Sequence, residues 1–169
     1  MKTIKKIIVI ALAVLMALSM TACKSKVQKY QESLSSVLTE ITDMNADIKA
    51  TVASLQTALE GGDQKAYSEA LSQLTDYANL LKDKYQAIAA IEAPKDLADK
   101  QAQLKTHADN LCTMLDDSIE LYTIAGQSLS SELTDAQITR ITELQNEIST
   151  LNPSADSFDS IFNEIMNTK

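Results

Sequence analysis

Histidine, arginine, tryptophan and cysteine are scarce in this chain, and each shortage removes a class of chemistry. Of 169 residues, one is histidine (His107), one is arginine (Arg140) and none is tryptophan. A lone histidine leaves no His pair, no His-Glu-x-x-His helix and no Cys–His combination. Histidine-based zinc or copper sites are therefore not expected, and no Ser-His-Asp motif is recognisable. Only three glycines occur, Gly61, Gly62 and Gly126, so there is no phosphate-cradling loop and no dinucleotide fingerprint. The sequence predicts no cofactor, no metal and no catalytic residue, and the chain reads as a non-enzyme. The two cysteines are Cys23 and Cys112, which is too few for a disulfide framework.

What is present begins with an export signal at residues 1–22. Lys2, Lys5 and Lys6 form a basic start, and Ile7 to Met20 carries no charge. That run is too short to span a bilayer comfortably, because a transmembrane helix needs about 20 apolar residues. Met20-Thr21-Ala22-Cys23 closes it. These four residues resemble the lipobox of bacterial lipoproteins. Thr21 and Ala22 match the small residues of that pattern, and Met20 stands where leucine is usual. The resemblance implies that the Cys23 thiol receives a diacylglyceryl group and that Cys23 becomes the first mature residue. Its amino group is often acylated as well, for instance with palmitate. It also implies a cell-membrane, extracytoplasmic location, with the membrane as a partner through the lipid. The basic start and the isoleucine-rich run resemble those of Gram-positive lipoproteins. An ordinary signal peptide and an uncleaved anchor are the alternatives, and both still place residues 24–169 outside the cytoplasm.

Residues 23–169 form one domain on this reading. Removing Lys2, Lys5 and Lys6 leaves 12 basic groups against 23 acidic ones, a net charge of −11. That balance excludes nucleic acid as a partner. It also argues against electrostatic adhesion of the domain surface to anionic lipid.

The periodicity is helical throughout. Val27, Leu34, Ile41, Ile48 and Leu55 recur at seven-residue intervals and predict a first helix over Lys26–Glu60. Gly61-Gly62 ends it, with a glycine free to take positive φ, and Asp63 caps the next helix. The second helix is expected over Gln64–Ile91, with Tyr67, Leu74, Tyr77, Leu81, Tyr85 and Ile88 on its apolar stripe. Pro94 suits the first turn of the third, which carries Leu97 to Leu129, with Gly126 weakening its end. Thr134-Asp135-Ala136-Gln137 reads as a capping box for the fourth. Asn152-Pro153 interrupts that helix, because proline pushes the preceding residue out of helical geometry. Asn152 is then expected to cap the last piece, which carries Phe158, Ile161, Phe162, Ile165 and Met166. The predicted fold is all-α: an up-down-up-down four-helix bundle with its fourth helix kinked or broken at Pro153, preceded by an N-terminal signal helix. A three-helix bundle with an appended hairpin is the alternative. Ile91-Glu92-Ala93-Pro94-Lys95-Asp96-Leu97 resembles the inter-helix turn of small helical lipoproteins from Gram-positive bacteria, which implies this architecture and no activity.

The remaining polar residues are weighed against ordinary structural roles. His107 lies beside a stripe, at the edge between core and solvent. Asp109, Asp116, Asp117 and Glu120 read as a solvated acidic face, because a straight helix does not supply the six to eight oxygens calcium takes. Cys112 reads as a small buried hydrophobe. Asn45 interrupts the first stripe at a height that antiparallel counting brings near Tyr77, His107 and the Pro153 break. It is a candidate for a mid-bundle polar pocket or for fixing register. Function is expected to be non-enzymatic binding or scaffolding at the cell envelope, with an envelope protein or wall component as partner. The alternative is an accessory protein holding a small molecule or ion inside the bundle.

Overall fold

The computed structural model describes residues 25–168. The readings on the signal peptide, the signal helix and Cys23 lie outside the described residues. Within them the chain is entirely helical, with four helices, two of them bent. The segments are α1 (Lys26–Gly61), α2 (Gln64–Ala90), a 3-10 turn (Lys95–Leu97), α3 (Ala98–Gln127), α4 (Asp135–Leu151) and α5 (Pro153–Met166). The last two abut at Asn152 and form the broken fourth rod.

The ends of these helices follow from local chemistry. Ser25 accepts from the Gln28 N–H while Gln28 Oε1 accepts from the Ser25 N–H, a reciprocal box that fixes the start of α1. Gly62 sits at φ 70°, its N–H reaching the Ala58 and Leu59 carbonyls, so the chain turns where a Cβ would be strained. Asp63 accepts from Ala66 N–H at 3.0 Å, and Thr134 and Gln137 make the expected box at α4.

Two local expectations are corrected. Pro94 is not in the first turn of an α-helix. It lies in extended geometry (φ −56°, ψ 153°), its carbonyl accepts from Leu97 N–H at 2.9 Å, and α3 starts only at Ala98. The extra 3-10 turn drives Leu97 into the core, where it is 2% exposed. Asn152 keeps helical geometry (φ −53°, ψ −38°) and makes no side-chain cap. The chain passes through the break because Asn152 N–H still bonds the Ile148 carbonyl at 2.9 Å. Pro153, with no N–H to give, ends the ladder there. Gly126 lies in the last turn of α3, which stops at Gln127, two residues short of Leu129; its contact with Tyr67 is described below.

The core divides in two. The larger cluster gathers Leu34, Leu38 and Ile41 of α1, Ile88 of α2, Leu104, Ala108 and Leu111 of α3, and Phe158, Ile161, Phe162 and Ile165 of α5. The smaller one takes Leu55 and Ala58 of α1 with Tyr67, Ala70 and Leu74 of α2, and Ile119 and Tyr122 of α3 pack against it. No α4 side chain belongs to either. Leu144 is the one α4 residue that is fully enclosed, and Ile138, expected on its buried stripe, is 52% exposed. Each fully buried Leu or Ile contributes about 1.5–3 kcal/mol relative to exposure. Stabilisation is therefore concentrated in α1, α2, α3 and α5.

Candidate functional site

Among the described residues, polar side chains collect in three places. The first is the end at which α1 begins. Tyr30 is 3% exposed and its hydroxyl donates to Gln101 Oε1. Gln101 Nε2 in turn donates to the carbonyls of Ile88 (2.9 Å) and Ala89 (3.2 Å), the last turn of α2. Gln31 Nε2 donates to the carbonyls of Ile165 (2.8 Å), Met166 (3.3 Å) and Thr168 (2.9 Å) at the end of α5. The final carbonyls of a helix lack partners inside it, and two glutamines supply them here. Burial pushes the Tyr30 phenol up to about 12, so it stays protonated as the donor. Lys100 pairs with Glu164 at 2.6 Å across the same end. Whatever pulls on the start of α1 thus acts directly on α2, α3 and α5. Sequence reasoning missed Gln31 and Gln101. Their signal was a glutamine on the flank of an apolar stripe, within reach of another helix's C-terminus.

The second place is the seam between α3 and α4. The only arginine, Arg140, holds Glu120 with two parallel bonds, Nε–Oε1 at 2.8 Å and Nη2–Oε2 at 2.9 Å. It also approaches Glu143 at 3.5 Å and Glu147 at 3.4 Å. The bond from Arg140 lowers the Glu120 carboxyl below its ordinary value. Asp117 is raised, first by burial and then by the nearby Glu147, with Arg140 partly offsetting both. Its Oδ2 is enclosed without a hydrogen-bond donor. Of the acidic face expected from sequence, Glu120 and Asp116 are thus engaged, Asp116 by Lys82 at 2.6 Å. Among the described residues, no three His, Cys, Asp or Glu side chains are grouped to hold a metal ion.

The third place lies where α2, α3 and α5 meet. The Tyr85 and Phe158 rings pack edge to face, with centroids 5.5 Å apart. Burial pushes the Tyr85 phenol up, and the neighbouring Asp159 adds to that shift. Asp159 itself is raised to about 6, by burial first and then by Asp156. Cys112 has a free, partly buried thiol 3.9 Å from the Lys82 carbonyl, and burial raises it. The sequence predicts a small buried hydrophobe there; the residue is only partly buried and belongs to neither core cluster.

His107 is partly buried with Nδ1 enclosed and unpartnered, consistent with its expected place beside the core. Asn45 is partly buried and its Nδ2 likewise has no acceptor. No hydrogen bond joins Asn45 to Tyr77 or His107, so the structure does not assemble those residues into one polar site. Tyr67 and Tyr85 do turn inward as expected, and Tyr67 donates to the Tyr122 carbonyl at 2.6 Å. A shallow, open cleft of about 190 Å³ beside Tyr67 is lined by Gln64, Ser68, Leu71, Thr123, Gln127 and Ser130. Small-molecule pockets span roughly 300–1,000 Å³ and enclose their ligand, so this cleft falls below that range.

Comparison with family models, with curated proteins and with solved structures returns no match.

Proposed function

We propose that the chain is a bacterial lipoprotein, anchored to the extracytoplasmic face of the cell membrane through lipid on Cys23, that acts without catalysis by binding or scaffolding at the cell envelope. The observation that carries this reading is the order of residues at the N-terminus: a basic start, an uncharged run, Thr21-Ala22, then Cys23. Two features of the fold agree with it. α1 begins at Lys26, so Cys23 stands three residues before a 36-residue helix and little flexible tether separates them. No helix among the described residues is long and apolar enough to cross a membrane.

The bundle runs up, down, up and down on this reading. Supporting it, Lys84 of α2 pairs with Glu40 of α1, and Lys82 pairs with Asp116 of α3. Asn110 of α3 donates to Ser154 of α5 at 3.0 Å, while Lys100, further back along α3, meets Glu164, further along α5. That order is the one antiparallel neighbours require. The Gly61-Gly62 turn and the turn before Thr134 then stand farthest from the lipid and meet an envelope protein first. At 1.5 Å per residue, α1 gives a reach of about 50 Å.

The alternative of a small molecule or ion inside the bundle draws on the enclosed Asn45 Nδ2, but the cleft beside Tyr67 is shallow and lies elsewhere. Crosslinking pull-down from intact cells, comparing wild type with Cys23→Ala, tests the proposal. Membrane-associated partners recovered with wild type and lost with the variant support it. Equal partition of both proteins into the soluble fraction overturns it.

A further inference from the structure

We infer that α4 is a hinged strap, which opens from α3 as a unit while α1, α2, α3 and α5 stay packed. The inference rests on the packing alone and is independent of the lipid anchor.

Four observations converge on it. First, α4 is bounded by a break at each end. Ser128–Thr134 forms the turn before it, and Asn152-Pro153 interrupts the ladder after it. Proline at 153 has no N–H for the Ser149 carbonyl, so bending there costs fewer hydrogen bonds than bending elsewhere. Second, α4 contributes one fully enclosed side chain, Leu144, and none to either core cluster. By contrast α5, directly beyond the break, buries Phe158, Ile161, Phe162 and Ile165 and is tied to α3 through Asn110–Ser154 and Lys100–Glu164. Third, α4 carries its own N-terminal cap. The Thr134–Gln137 box lies wholly within this segment, so the helix keeps it on leaving α3.

Fourth, the seam that holds α4 is electrostatically frustrated. Glu120 from α3 shares a single guanidinium with Glu143 and Glu147 from α4, and Asp117 of α3 lies close enough to Glu147 to be raised by it. Arg140 satisfies Glu120 fully and meets Glu143 and Glu147 only at the edge of contact, while Asp117 Oδ2 is enclosed without a donor. The pairs are largely exposed, and such pairs hold weakly and are screened by salt. The side-chain bond from Gln137 to Gln127 is the further polar tie at the turn. Opening breaks the Arg140–Glu120 pair but separates the remaining carboxylates, and it releases Leu144, with Ile141, Ile148 and Leu151 beside it, as one apolar stripe. Elements with few buried apolar contacts and exposed hydrogen bonds are those that open below the global unfolding free energy.

Amide hydrogen exchange read by mass spectrometry tests this on the intact protein. The account expects peptides from residues 138–151 to exchange about tenfold or more faster than those from 104–122 and 158–165. Glu120→Gln, which keeps the side chain's shape, should speed α4 by a further threefold or so and leave the other helices unchanged. Wild-type α4 exchanging in step with α3 overturns the strap. So does a Glu120→Gln variant in which all helices speed up together, because that outcome marks α4 as part of one global cooperative unit.

Discussion

Gly126→Ala sets two physical effects of opposite sign against each other. In an ordinary helix interior, alanine is favoured over glycine by about 0.8–1.0 kcal/mol, and Gly126, in the last turn of α3, would gain at most that much. A Cβ built on it, however, would stand 2.3 Å from Tyr67 Cε1, 2.9 Å from Cδ1 and 3.3 Å from Cζ. Carbon atoms in contact sit at about 3.5–4.0 Å, so the ring must move by about an ångström. It has little freedom to do so. Tyr67 is 3% exposed, packs with Leu55, Ala58, Ala70 and Leu74, and is held at its far end by the hydroxyl bond to the Tyr122 carbonyl. Overpacking of this kind costs about 1–3 kcal/mol, and losing the hydroxyl bond adds about 1 kcal/mol. The net expectation is destabilisation by about 1–3 kcal/mol despite the better helix former. Urea unfolding followed by circular dichroism reads it directly. In a Tyr67→Ala background the clash is gone, and the same substitution should then stabilise by up to about 1 kcal/mol. The cycle therefore predicts a coupling of about 2 kcal/mol. A Gly126→Ala variant more stable than wild type, or effects that add within about 0.5 kcal/mol, would refute the reasoning.

Three other outcomes follow from particular side chains. Asp159 has a folded-state pKa raised from 3.8 to about 6, so its contribution to stability is fully present below its unfolded value and is lost as pH rises toward 6 and beyond. Asp159→Asn should flatten the stability curve between about pH 4 and 6 and leave the protein more stable than wild type at neutral pH; an unchanged slope in urea melts across that window argues against it. Gln101→Ala should cost about 1–3 kcal/mol by stranding the buried Tyr30 hydroxyl, and Tyr30→Phe in the same chain should recover part of that loss, as paired melts will show. Asn45→Leu removes an enclosed, unpartnered donor and should stabilise the bundle by about 1 kcal/mol or more. A loss of stability would instead mark Asn45 as partnered in solution and restore the idea of a polar pocket.

Much of the fold was legible because its signals are local or periodic. The Gly61-Gly62 stop, the Asp63 cap and the Thr134–Gln137 box are each decided within four residues. The seven-residue recurrence from Val27 to Leu55 shows which face of α1 turns inward. What the sequence did not display depends on contacts between distant segments. Ile138, Ile141 and Leu144 share one stripe by spacing, yet only Leu144 is enclosed, which depends on how α4 seats against α3. That Gly126 also leaves room for the Tyr67 ring, 59 positions earlier in the chain, is invisible until the two are placed together. Gln31 and Gln101 look like surface glutamines until the ends of α5 and α2 arrive beside them. Asn152 misleads for another reason: its N–H keeps the bond to the Ile148 carbonyl, and the chain stays helical up to the proline.

The candidate site shows the same division. Cys23 is read from four contiguous residues and a preceding uncharged run, whereas nothing contiguous marks the seam around Arg140. The central claim remains the anchor at Cys23, and the mass of the mature N-terminus tests it most directly. Protein taken from the membrane fraction should begin at Cys23 and carry a diacylglyceryl group on its thiol. A chain that retains Met1, or one that begins at or after Cys23 with no lipid and partitions into the soluble fraction, would contradict the account.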